Sequence, residues 1–221
     1  MDFPAGLFPE RWQVTAWLAF APCLAWAVRR APWRRLADPA QFNVWAASVV
    51  VLALLWSMKA GVRPGLDLHL VGAMVLTLAF GPAAALLALS ATLAAVTANG
   101  AAAWSTYALN AMVMAVVPVA LSHALFRIVE RRLPNHFFVY IFACSFFGSA
   151  AVVFAVGLAG SALLWAAGAY TAQYLVSEYL PFYVLLGFSE AWLSGMAMTL
   201  MVVYRPGWVA TFDDARYLLN K

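Results

Sequence analysis

The chain is 221 residues long, 66% hydrophobic and 10% charged, with a mean hydropathy of +0.85. Soluble domains run nearer half apolar and a quarter charged, so a water-soluble monomer is excluded. So are a disordered chain and, with two cysteines, a disulfide scaffold. The formal net charge of +4 sits in loop clusters and reads as membrane topology, not as a nucleic-acid footprint.

A helix crossing about 30 Å of hydrocarbon needs about 20 apolar residues. In chain order, apolar runs cover 12–28, stopped by Arg29-Arg30, and 42–58, stopped by Lys59 and the Gly61-Val62-Arg63-Pro64-Gly65 turn. A short third run starts near Leu68 and breaks at Gly81-Pro82, and a fourth continues from Pro82 to Asn99-Gly100. The fifth covers 106–126, with a kink expected at Pro118; the sixth starts after Pro134 and runs to about Ala167. The seventh covers 181–204 and ends at Arg205-Pro206-Gly207. The third and fourth are short, which leaves open whether both cross fully.

The expected architecture is therefore an all-α integral membrane protein of about seven transmembrane helices, forming one polytopic domain over 1–221. With the N-terminus outside and the C-terminus inside, ten of the thirteen Lys and Arg residues fall on the inner side, at 29–35, 127–132 and 205–221. Arg11, Lys59 and Arg63 remain outside. The start, Met1-Asp2-Phe3-Pro4, lacks the basic opening of a signal peptide. Its initiator Met is expected to stay, so that a free amine lies outside, near the first span. Several Trp residues, among them Trp12, Trp33, Trp56, Trp104 and Trp208, fall near span ends, as interfacial belts do.

Polar residues are costly in a bilayer, so they carry the information. His69 lies at the outer start of the third run and is either a metal ligand or an interfacial histidine bonded to a carbonyl. Glu190 lies deep in the seventh run, with Ser194 one turn on along the same face. Gly187, Ala191 and Gly195 make a small-residue row that admits a close neighbouring helix. Glu190 and Asn110 each read either as interhelical hydrogen-bond residues or as substrate ligands. His123 and His136 lie by the inner arginines and read as solvated or headgroup-facing. Cys23 and Cys144 lack CxxC spacing and read as packing residues. Met112/Met114 and Met196/Met198 are two apart and point to different helix faces. The chain has no Walker motif and no nucleophile elbow, so it is expected to bind no nucleotide and to catalyse no reaction.

Three separated segments resemble the CbiM/NikM substrate-binding components of energy-coupling-factor cobalt and nickel transporters. Met1-Asp2-Phe3-Pro4-Ala5-Gly6-Leu7-Phe8-Pro9 resembles the family start Met-His-Ile-Pro-x-Gly-Phe-Leu-x-Pro. His69-Leu70-Val71-Gly72-Ala73, Phe80-Gly81-Pro82, Asn110 and Met114 resemble its His-Leu-x-Gly-Ala, Gly-Pro and Asn-x-x-x-Met positions. Gly187-Phe188-Ser189-Glu190-Ala191 and Arg205-Pro206 resemble its Gly-x-x-Glu-Gly and terminal Arg-Pro.

The resemblance implies uptake of a divalent transition-metal ion, held by the Met1 amine, residue 2 and His69. For that, the segment 1–11 folds back into the bundle from outside, while 205–221 forms a cytoplasmic tail. The chain departs from the family at Asp2, where an oxygen ligand replaces the family histidine. The implied partners are a coupling membrane subunit and ATPase subunits, with membrane lipid around the bundle and no nucleic acid. The implied location is the bacterial inner membrane. The alternative is an accessory or scaffold subunit that keeps the fold without the metal site, and Asp2 is the feature that favours it. A haem-carrying subunit fits poorly, with His69 outside and His123 and His136 inside. No motif supports a membrane enzyme.

Overall fold

The computed structural model describes residues 3–61 and 63–219, and all structural statements below concern those residues. The helices are α1 (Glu10–Arg30), the single turn α2 (Trp33–Leu36), α3 (Pro39–Ser57), α4 (Ala73–Phe80), α5 (Pro82–Ala98), α6 (Trp104–Arg132), α7 (Phe137–Ala166) and α8 (Ala172–Tyr204). Between α3 and α4 a two-residue hairpin pairs β1 (Ala60–Gly61) antiparallel to β2 (Asp67–Leu68).

Seven rods of eight residues or more thus stand where the sequence has its seven apolar runs. Four of them, α3, α6, α7 and α8, are long and apolar enough to cross a membrane. The helix α5 is apolar but shorter, and α1 includes Glu10, Arg11, Arg29 and Arg30. The rod α4 has eight residues, about 12 Å at 1.5 Å per residue, and cannot cross a bilayer by itself.

One helix differs from the sequence reading at a proline. The last helix begins at Ala172, not near Pro181, because the turn Leu175–Tyr179 is widened to i→i+5 bonding just ahead of it. A proline lacks an N–H and its ring collides with the carbonyl four residues back, so a widened turn lets the helix continue through it. The widened turn Met112–Val116 does the same ahead of Pro118.

The short rod α4 is the centre of the molecule. Seven of its eight residues are buried, among them Met74, Leu76, Leu78 and Phe80. It starts at Gly72 (φ +72°) and stops at Gly81 (φ +83°, ψ 164°), backbone regions that favour glycine. Pro82 then opens α5, where its missing N–H costs nothing.

A helix this short and this deep leaves unsatisfied N–H groups at one end and carbonyls at the other, which lipid cannot pair. The segment after α8 covers the carbonyl end. Ala210 donates to the Ala79 carbonyl at 2.8 Å and the Thr211 hydroxyl to the Leu78 carbonyl at 2.9 Å. The Tyr140 hydroxyl lies 2.7 Å from the Thr211 hydroxyl, and Phe212 and Tyr217 pack on the Tyr140 ring. Arg35 and Gln41 donate to the Gly207 carbonyl at 3.0 and 2.9 Å, which fixes the turn that brings this segment back. Further on, Arg216 bonds Glu130 at 2.6 Å. That partner raises the guanidinium pKa, which favours the charged form of Arg216.

Replacing Thr211 with Val removes a hydroxyl bonded on both sides and strands the Tyr140 hydroxyl. The expected cost is about 1–3 kcal/mol, with Thr211→Ser close to wild type. Thermal unfolding in detergent checks this; a Thr211→Val midpoint equal to wild type would refute it.

Candidate functional site

At the hairpin end of the bundle, two stretches of chain outside the long helices come together, each anchored by buried residues. The first is the N-terminal segment. Phe3 is fully buried, and its ring packs on Phe8 at 4.9 Å; Phe8 in turn packs on Trp12. Its main chain is gripped from α6. The Phe3 N–H donates to Asn110 Oδ1 at 2.8 Å, while Asn110 Nδ2 and the Thr106 hydroxyl donate to the Phe3 carbonyl at 3.4 and 2.6 Å. Asn110, with no exposed surface, thus pairs both main-chain groups of Phe3 as a neighbouring strand would.

The second stretch runs from β2 into α4 and carries His69. Leu66, His69 and Val71 are buried, and the imidazole lies 4.8 Å from the Trp56 ring, with Nδ1 3.0 Å from the Leu70 carbonyl. The Trp56 indole N–H is buried with no hydrogen-bond partner. The Tyr179 hydroxyl donates to the Asp67 carbonyl at 3.4 Å and lies 3.1 Å from the Tyr183 hydroxyl. Glu190, in the middle of α8, accepts from the Val71 N–H at 2.8 Å and from the Gly72 N–H at 2.6 Å, one on each carboxyl oxygen. Gly72 must be glycine on two counts. Its φ is positive, and an added Cβ would lie 2.6 Å from a Leu52 methyl.

The two stretches are neighbours. An added Cβ on Gly65 would meet Leu7 at 2.7 Å and Pro4 at 3.6 Å. Pro4, Ala5, Lys59, Asp67 and the Gly100–Ala103 loop line one cavity of about 360 Å³. At its rim Lys59 pairs with Asp67 at 3.2 Å and donates to the Ala101 carbonyl at 3.1 Å.

Of the residues singled out in the sequence, Met1 and Asp2 lie outside the described residues. Asn110 grips the main chain at Phe3, next in sequence to Asp2, and Glu190 grips it at Val71 and Gly72, just beyond His69. Ser194 is buried one turn from Glu190, and its carbonyl accepts from the Ser145 hydroxyl at 2.8 Å. Glu190 and Ser194 also line a cleft of about 490 Å³ between α3 and α8. The row Gly187, Ala191, Gly195 packs on α7, with the Ala150 carbonyl and Phe146 within 3.4 and 3.1 Å of the two glycines' Cβ positions. His136 caps α7 by accepting from the Phe138 N–H at 3.1 Å, and His123 is half-buried beside Cys23.

The sequence placed Trp56 in an interfacial belt, whereas it is fully buried against His69; it did not find Thr106 or the Lys59–Asp67 pair, since their roles depend on chain segments that meet only in the fold. Among the described residues, no three His, Cys, Asp or Glu side chains cluster closely enough to hold a metal ion. From those residues His69 is therefore a single candidate ligand and needs partners from elsewhere.

A helical membrane bundle with a buried broken helix and an inserted N-terminal segment defines the class of this molecule. The chain belongs to the CbiM family, described as the cobalt uptake substrate-specific transmembrane region, whose model matches residues 2–208. The fold is similar to a crystal structure of a transition metal transporter, at 18% identity and a TM-score of 0.78, covering 91% of this chain and 92% of the other. It is also similar to a truncated transition metal transporter, at 16% identity and a TM-score of 0.77, covering 92% of this chain and 99% of that one. No curated protein is significantly similar in sequence.

Asn110→Leu removes the acceptor of the Phe3 N–H and one of the two donors to its carbonyl, leaving the Thr106 hydroxyl as the remaining partner. Amide exchange at Phe3 is expected to accelerate about tenfold or more, as local opening becomes easier. Exchange at Phe3 equal to wild type would show that Asn110 does not hold the segment.

Proposed function

We propose that this chain is the substrate-capture membrane component of an energy-coupling-factor-type ABC importer for a divalent transition-metal ion. The observation that carries the reading is the pair of anchored chain stretches at one end of the bundle, in a chain of the CbiM family. One leads back to the amino terminus and the other presents His69. The ion, as substrate, is held by the Met1 amine, Asp2 and His69. Each can donate a lone pair when deprotonated, and Phe3, which follows Asp2 in sequence, is anchored inside the bundle by Asn110 and Thr106.

Asp2 supplies an oxygen where the family has an imidazole. Carboxylate oxygen suits harder ions, whereas nitrogen-rich square-planar sets favour Ni(II) and Cu(II). The expected preference is therefore a weaker, less nickel-selective site than a histidine at position 2 would form. The hairpin end faces outward and the segment after α8 faces the cytoplasm of a bacterial inner membrane, in line with the distribution of Lys and Arg. The chain has no nucleotide motif, so ATP hydrolysis falls to ATPase subunits acting through a coupling membrane subunit, and the chain itself catalyses no reaction. A second reading, an accessory subunit that has lost its metal site, is favoured by one feature, Asp2 itself.

Metal content and calorimetric titration of untagged protein test the reading. Wild type is expected to bind one divalent ion. His69→Ala or an N-terminal tag should abolish binding, and Asp2→His should raise Ni(II) affinity. Binding by Asp2→His but not by wild type would replace capture with the accessory role.

Topology is tested separately by single-cysteine labelling. A cysteine at position 63 is expected to react from outside and one at position 131 only from inside; the reverse pattern would invert the orientation.

A further inference from the structure

We propose that Glu190 is a positioning residue for ion capture: it sets the placement of His69 by holding the backbone on which His69 is carried. The proposal rests on the reading of His69 as a ligand given above and assigns the residue that makes that ligand rigid.

Between β2 and α4 the chain runs through His69, Leu70, Val71 and Gly72 with neither helical nor sheet pairing. Such a stretch has no ladder to hold it, and its N–H groups, set in an apolar bundle, need acceptors. Two of the four go to one side chain. Glu190 takes the Val71 and Gly72 N–H groups at 2.8 and 2.6 Å across 119 and 118 residues of sequence. A carboxyl group with one acceptor oxygen on each of two successive amides fixes both position and rotation of that backbone, as a single contact would not.

Glu190 is itself firmly mounted. It is 2% exposed, and the glycines flanking it on α8 are in close contact with α7. The far side of the stretch is closed by Leu52 against Gly72 and by Trp56 against His69, both from α3. His69 thus sits between an α3 wall and a backbone tethered to α8, with its rotamer limited from both sides. Groups that orient a metal ligand typically change affinity by about 10–100-fold when removed.

A cap that only stabilised α4 would loosen the whole bundle when lost, whereas a positioning residue loosens His69 selectively. Glu190→Gln keeps the size but turns one acceptor into a donor facing an N–H. Purified protein in detergent is treated with diethyl pyrocarbonate, and modification of each histidine is followed by mass spectrometry, alongside amide exchange at Val71 and Gly72. His123 and His136 are internal references. Ser145→Ala, which removes a buried bond to α8 at Ser194 without touching the His69 stretch, controls for general destabilisation.

The expected result for Glu190→Gln is about tenfold faster modification of His69 and faster exchange at Val71 and Gly72, with His123 and His136 unchanged. Ser145→Ala should leave His69 protected. A wild-type rate at His69 in Glu190→Gln overturns the proposal. So does a proportional rise at all three histidines, or an equal effect of Ser145→Ala.

If Glu190→Gln does not accumulate, wild type is taken through denaturant concentrations below its unfolding midpoint. Modification of His69 while Val71 and Gly72 remain protected would then overturn the proposal; a parallel rise supports it. Ni(II) titration of the same samples separates the two readings. Absence of binding in wild type removes the capture function, and the histidine rates still judge Glu190. Where wild type binds, Glu190→Gln is expected to bind about tenfold or more weakly, and equal affinity overturns the proposal.

Discussion

A carboxyl group in the middle of a membrane helix accepts two backbone N–H groups from a loop more than a hundred residues away, and the architecture follows from that contact. Without an acceptor at Glu190, the Val71 amide would be a buried donor and the Gly72 amide a part-buried one, both unpaired in an apolar bundle. The contact permits irregular backbone at this depth. Because the backbone can be irregular there, α4 can be a short inner rod rather than a full span, and the chain before it can present an imidazole inside the bundle.

The same constraint acts at three other places, each met by a different device. The carbonyl end of α4 is paired by Ala210 and Thr211, delivered by the turn after α8. The main chain of Phe3 is paired by an amide side chain, Asn110, which has a donor and an acceptor in the spacing a peptide needs. Prolines inside α6 and α8 are absorbed by widened turns rather than by helix breaks. A single helix, α8 with its following segment, therefore closes both ends of α4. The glycine row that brings α8 against α7 gives that bracket a firm base.

This arrangement gives the polar residues a common logic. In lipid, an amide or carboxyl side chain is tolerated when it replaces the water that irregular backbone would otherwise require. Asn110 does so at Phe3, which follows Asp2 in sequence, and Glu190 does so just past His69; Asp2 and His69 are both proposed for ion capture. The cost of burying polar side chains is thereby offset where function needs non-helical chain. Elsewhere the helices bury small apolar residues, such as Ala83, Ala84, Ala85 and Ala88 of α5.

Composition together with long unbroken apolar runs determined that this is a helical membrane protein, since 66% apolar residues and so few charges place the chain in lipid and barrel strands would alternate apolar with polar residues. Spacing located the rods closely except at the start of the last one, which lies well before Pro181, and the expense of a carboxyl or an amide in an apolar run drew attention to Glu190 and Asn110 without naming their partners. The shortness of the third run and the Gly81-Pro82 break were legible, because glycine and proline act on their own backbone. Four things were decided only by tertiary structure: that Glu190 meets Val71 and Gly72, that Asn110 meets Phe3, that Thr211 caps α4, and that the last helix continues back through Pro181 to Ala172. The physical reason is the same for each of the three contacts. A hydrogen bond between segments a hundred residues apart leaves no periodic trace in either segment, and its geometry exists only once the rods have packed.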